Sequence, residues 1–120
     1  MFIRKDDQEA VYKPHLQNGE GAPLCRTILP KEEAAGSGRL FAVFTLQPGE
    51  SIGYHTHEGE FEIYYVIRGT GTVTENGEVY ELRPGDMAQC KNGSSHGIRN
   101  AGNEELEFLA VILYDREKAE

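Results

Sequence analysis

Over most of its length the chain sets short apolar-rich runs between turn-forming residues, with a period of two rather than 3.6. Arg39 to Leu46 (RLFAVFTL) is apolar on both faces, as a strand inside a closed sheet or sandwich is, and Pro48-Gly49 ends it. Glu60 to Arg68 (EFEIYYVIR) follows, rich in β-branched and aromatic residues, and Gly69-Thr70-Gly71 breaks it. Thr72 to Glu75 and Glu78 to Leu82 flank Asn76-Gly77, the pair that a type I′ hairpin turn favours because both central residues need φ > 0. Beyond the Pro84-Gly85-Asp86 turn come a short strand from Met87 to Lys91 and a loop from Asn92 to Ser95. A strand from His96 to Asn100 and a reversal at Ala101-Gly102-Asn103 lead to the most apolar strand, Leu106 to Tyr114.

No sustained helical period appears past Ile28, although Pro30 to Gly36 suits a single helical turn. Val11-Tyr12 and Leu24 to Leu29 are expected to pair as edge strands or with a partner subunit. The charged tail, 115–120, is expected to fray. Short strands at regular spacing predict an all-β sandwich or barrel. The expected organisation is one domain over 1–120, with strands or an arm over 1–36, the barrel over 37–114 and the tail after it. Strand parity puts Glu62, Tyr64 and Val66 on the interior face and Phe61, Ile63, Tyr65 and Ile67 on the other. That outward row is apolar and calls for cover, from the N-terminal strands or from a second subunit. By the same parity Ile98 follows His96 inward and Arg99 points out, which makes Arg99 a poor candidate for binding an anionic substrate.

Composition narrows the function classes. A chain of 120 residues is long enough for a real core. Its formal charge of −8 disfavours phosphate backbones and anionic lipid, so neither nucleic acid nor membrane is an expected partner. No apolar run approaches the roughly 20 residues of a membrane span, and MFIRKDDQEA lacks an apolar signal core, so a cytoplasmic location is expected. The two cysteines, Cys25 and Cys90, are far apart and form no CxxC pair, so both are expected to be free and buried.

The chemistry lies in GESIGYHTHEGEFEIYYVIRG, from Gly49 to Gly69, and in His96 downstream. His55 and His57 alternate in a β-type run, so both imidazoles point to one side. Glu62 and His96 can join them if the chain bends back, and three imidazoles with one carboxylate suit a divalent transition metal. The spacing G-x5-H-x-H-x4-E-x6-G (Gly49, His55, His57, Glu62, Gly69) resembles the first motif of the cupin family. Gly85, Gly93, His96 and Asn100 resemble its second motif, with Lys91 where the family usually has Pro. The resemblance covers Gly49 to Asn100 closely.

It implies a double-stranded β-helix, a jelly roll closed as a small barrel. It also implies one divalent ion (Mn, Fe, Ni or Zn) held by His55, His57, Glu62 and His96, with two coordination positions left open. Gly49, Gly69, Gly85 and Gly93 read as turn residues, and Asn100 as a residue that fixes the following turn. His15 lies outside both motifs and is expected at the surface. Tyr54, Tyr64, Tyr65 and Tyr80 are candidates to present a hydroxyl to a ligand, with core packing as their commoner use. The leading expectation is a mononuclear metalloenzyme acting on a small carboxylic acid or sugar-like molecule. The alternative is a binding or sensing module without turnover, and a storage or structural role is a third. Cupins are often dimers, so a homodimer across the outward face of the 60–68 strand is expected.

Overall fold

The computed structural model describes residues 1–118. Ten strands form: β1 (Ala10–Tyr12), β2 (Leu24–Thr27), β3 (Gly38–Leu46), β4 (Ser51–Thr56), β5 (Glu60–Arg68), β6 (Gly71–Glu75), β7 (Glu78–Leu82), β8 (Met87–Cys90), β9 (Ser95–Arg99) and β10 (Leu106–Tyr114). They build two antiparallel sheets, β1-β2-β3-β10-β5-β8 and β4-β9-β6-β7, in the double-stranded β-helix arrangement expected. The Asn76-Gly77 hairpin forms as its sequence demands, with φ of 47° and 87° at the two positions.

The core fills the space between the sheets. Ala42, Phe44, Leu46, Tyr64, Val66, Phe108 and Ala110 face inward from the large sheet, and Ile52, Val73, Leu82 and Ile98 from the small one. Phe44 and Phe108 are direct register partners on β3 and β10, and their rings stack with centroids 5.7 Å apart. Both cysteines are free and buried.

Three features differ from the sequence expectations or refine them. The N-terminal strands pair with each other, and β2 then pairs with β3, so they widen the large sheet at the end away from β5. They therefore leave the outer face of β5 uncovered, with Tyr65 44% and Ile67 45% exposed. Between Pro30 and Gly36 the expected turn is a 3₁₀ turn at Lys31–Glu33. The tail, expected to fray from 115, instead closes a 3₁₀ turn at Arg116–Lys118. The amide of Asp115 donates to Gly59 O at 3.0 Å, and the Arg116 guanidinium donates to Gly36 O. These long-range partners hold a segment whose composition alone suggests solvent. Residues 119–120 lie outside the described residues.

Candidate metal centre

Each ligand-type side chain reaches the barrel interior by a different device. Ile52 pairs with Ile98, yet the next pairing in β4 is His55 with His96, so three steps on β4 match two on β9. This one-residue bulge at Gly53-Tyr54 turns both Ile52 and His55 inward, which strict alternation forbids. Gly53 is required there. A Cβ would lie 1.9 Å from the carbonyl oxygen of Gln17, in the 3₁₀ turn at Leu16–Asn18 that docks on β4. His57 falls one residue past β4 and is clamped by backbone bonds, His57 N to Ser94 O at 3.0 Å and Gly93 N to His57 O at 2.7 Å. Gly93 takes φ of 86°, and the Ser94 N to Lys91 O bond closes the turn at 2.9 Å with Lys91 in the place of the family's usual Pro. Glu62 points inward from β5 and His96 from β9.

The four side chains converge. His57 Nε2 lies 3.1 Å from His55 Nε2, 3.1 Å from His96 Nε2 and 3.0 Å from Glu62 Oε1. His96 Nε2 lies 2.9 Å from Glu62 Oε1, and His55 Nε2 lies 3.9 Å from it. All four ligand atoms fall within 4.8 Å of one another, in a group that can hold a metal ion. His57, Glu62 and His96 are buried, and His55 is half-buried.

The outer hydrogen bonds decide which nitrogens face the centre. His55 Nδ1 lies 2.6 Å from the Gly53 carbonyl oxygen, which only accepts, so Nδ1 carries the proton and Nε2 presents a lone pair. His57 Nδ1 lies 2.6 Å from Glu60 Oε2 and donates to it. Glu60 is held in turn by a two-bond fork from Arg39, both bonds 2.7 Å long. With both Nδ1 atoms protonated, the His57 Nε2 lone pair faces that of His55 at 3.1 Å and a Glu62 carboxylate oxygen at 3.0 Å. That arrangement is repulsive unless a cation or an extra proton lies among them.

Electrostatics follow the same layout. Burial works against charge on Glu62, but the three imidazoles gathered around its carboxylate more than reverse it and hold its carboxyl far below the usual range. The Arg39 fork, opposed by burial and aided by His57, lowers the Glu60 pKa. Burial disfavours the His57 cation, yet its bonds to Glu62 and Glu60 prevail and raise its pKa.

A cavity of about 210 Å³ opens onto His55, His57, Glu62 and Tyr64. Its outer wall comes from the N-terminal segment, where Glu9, Val11 and Lys13 share one face of the β1 run. The four tyrosines separate. Tyr54 and Tyr65 are exposed, and the Tyr80 hydroxyl donates to Glu75. Tyr64 is buried, its ring stacked on His96 with centroids 4.8 Å apart and 9° between planes. Burial, with Glu62 nearby, pushes the Tyr64 phenol well above its ordinary pKa. Arg99 is exposed outside the cavity, as is His15. Asn100 is buried and fixes its turn, donating to Leu46 O (2.9 Å) and Glu104 O (2.7 Å) and accepting from Gly102 N (3.0 Å).

Sequence reasoning missed Glu60, Arg39 and the Gly53 carbonyl. Glu60 has a visible signal, because it shares the parity of Glu62 and lies three residues after His57. Arg39 has none. It lies on β3, separated from β5 by β10, and only the sheet order brings its fork to Glu60.

Comparison with known proteins agrees with this fold. The model of the cupin domain family matches residues 42–112. The oxalate-binding protein of Thermotoga maritima is 41% identical over 113 residues, covering 94% of this chain and 93% of that protein. A crystal structure from Thermotoga maritima, described as a predicted oxalate decarboxylase, superposes with a TM-score of 0.92 at 40% identity, covering 96% of this chain and 100% of the other. The polyketide cyclase RemF of Streptomyces resistomycificus shares the fold, with a TM-score of 0.78 at 22% identity over 96% of this chain and 80% of its own. The chain is a member of the cupin domain family.

Proposed function

We propose that the chain binds one divalent transition metal through His55, His57, Glu62 and His96, and that the bound ion captures a small carboxylic acid of the oxalate type. The observation that carries this reading is the convergence of three imidazole nitrogens and one carboxylate oxygen, with four of their separations at 2.9–3.1 Å and the outer bonds of His55 and His57 turning their Nε2 atoms inward. The mixed nitrogen and oxygen set suits Mn or Fe, ions that take up to six ligands. Four protein ligands leave two positions for a bidentate carboxylate, and the ion supplies Lewis acidity to whatever occupies them.

This chain's own residues orient and enclose. Glu60 and the Gly53 carbonyl fix the tautomers of His57 and His55, so their lone pairs need no rearrangement when the ion arrives. The cavity, about 210 Å³, has room for a small acid beside the ligand atoms. The name of the Thermotoga maritima relative supports oxalate as the acid. The test is titration calorimetry of Mn-loaded protein with oxalate, with chromatography of the recovered ligand. Saturable one-to-one heat that vanishes after chelation supports the reading, and no heat from the loaded protein sinks it. Turnover is a second reading, favoured by the description of the structural neighbour. Formate and carbon dioxide recovered in place of oxalate would establish it.

We propose further that the chain pairs with a second copy through the outer face of the large sheet. Register places Val43, Leu109, Tyr65 and Met87 in one cross-strand row and Phe41, Val111 and Ile63 in the next. No other element among the described residues packs over that row's β5–β8 end, where Tyr65 and Met87 are exposed.

A further inference from the structure

The Tyr64 hydroxyl is buried, and it alone among the buried side-chain polar atoms of the described residues has no hydrogen-bond partner. Such a donor is uncommon in a native interior and calls for an acceptor. Phe at this position would keep the stacking on His96 and the edge contact with Phe108 without that burden, so ring packing does not account for the oxygen.

A candidate acceptor is built into the same strand. Tyr64 follows Glu62 by two residues on β5, so both side chains rise from one face of the sheet. Every side-chain contact of Glu62 within hydrogen-bond distance of a protein atom runs through Oε1, the oxygen aimed at His57 and His96. Its Oε2 has no protein partner among the described residues. A donor without an acceptor and a carboxylate oxygen without a donor thus belong to side chains two residues apart on one face of one strand. Phenol is a hydrogen-bond donor at neutral pH.

Resting on the metal site proposed above, we infer that Tyr64 is a positioning residue for Glu62. Its hydroxyl donates to Oε2 when Oε1 engages the ion, which fixes Glu62 as a one-oxygen ligand and keeps a second coordination position free for the incoming acid. A carboxylate free to swing would close on the ion with both oxygens and occupy that position. The role parallels that of Glu60 on His57, with the donor and acceptor reversed. It assigns a hydroxyl to Glu62 as Glu60 assigns a carboxylate to His57.

The test is Mn(II) affinity, measured by competition with a fluorescent chelator, for wild type, Tyr64→Phe, Glu62→Gln and the double variant. Outer-shell partners of metal ligands are worth about 10–100-fold in metal affinity. Tyr64→Phe is therefore expected to bind Mn(II) at least about 10-fold more weakly, with the melting temperature of its metal-free form unchanged or raised. In the Glu62→Gln background the same substitution is expected to change nothing, because the group it positions is gone. Equal Mn(II) affinity of wild type and Tyr64→Phe would overturn the inference and leave the metal site standing. So would an equal loss in both backgrounds, which would mark Tyr64 as a packing residue. Failure of wild type itself to bind Mn(II) would overturn the metal site, and this inference with it.

Discussion

The two faces of β5 carry opposite kinds of information. Inward, Glu60, Glu62 and Tyr64 are buried polar side chains, and each is tied to a group from another strand: Arg39 and His57 for Glu60, three imidazoles for Glu62, and His96 for Tyr64. Outward, Phe61, Ile63, Tyr65 and Ile67 form an apolar row that the chain itself leaves partly open. A buried polar group needs a partner in a fixed direction, whereas an apolar row needs only to be covered. One strand therefore serves chemistry on one side and association on the other. Substitutions on the two sides should have separable consequences.

The largest effect is expected at the centre. His57→Ala removes the nitrogen that touches the other three ligand atoms, and metal affinity should fall by more than about 100-fold, beyond what loss of an outer partner does. Equilibrium dialysis against Mn(II) measures this. Next comes Glu60→Gln, which leaves all four ligands in place but weakens the hold on the His57 tautomer. Its Mn(II) affinity should fall about 10–100-fold, and an unchanged value would remove Glu60 from the site.

Metal should also stabilise the fold. At a free Mn(II) concentration of 100 times Kd, binding to the native state alone adds about 2.7 kcal/mol, or roughly 10 °C in Tm for a chain of this size. Scanning calorimetry with and without metal reads this shift, which His57→Ala should abolish.

Acid acts on the same inward row. Glu60 and Glu62 have folded pKa values below their unfolded ones, so the stability they contribute is present above the unfolded pKa, near 4.3, and is lost as pH falls through the folded values. The urea midpoint of the metal-free protein should therefore drop as pH is lowered from 5, with a shallower slope in Glu60→Gln.

The outward face sharpens the contrast. Tyr65→Lys with Ile67→Lys should convert a dimer to a monomer in light scattering while leaving Mn(II) affinity unchanged, since neither side chain faces the cavity. A loss of metal in that variant would break the separation of faces. The smallest effect concerns Cys90, whose thiol is pushed up to about 12 by burial and by Glu75 and Glu62. At pH 8 only about one molecule in ten thousand carries the thiolate, so alkylation should be negligible in the native protein and rapid in urea.

Much of this was legible in the sequence, for physical reasons that differ from residue to residue. The alternation on 60–68 gives the sidedness of Glu62, Tyr64 and Tyr65, because a strand has only two faces. Asn76-Gly77 fixes its hairpin locally. The four ligand types were named by the spacing of the cupin motifs. Strand parity alone did not contain the bulge at Gly53-Tyr54, which depends on how β4 meets β9 and on the Gln17 carbonyl pressed against Gly53. Nor did it contain the Arg39 fork on Glu60, since their closeness depends on β10 lying between β3 and β5. The N-terminal strands kept two partners open in the sequence, and the structure pairs them as the edge strands of the chain's own large sheet through β2 and β3.

The central claim is that the three imidazoles and one carboxylate hold an ion. The most direct measurement is elemental analysis of untagged protein, purified without chelator, beside the Glu62→Gln variant. The account predicts close to one divalent transition metal ion per chain in the wild type and a large loss in the variant. Wild-type protein that carries no metal and takes up none on incubation with Mn(II), Fe(II), Ni(II) or Zn(II) would contradict it, as would equal metal content in both proteins.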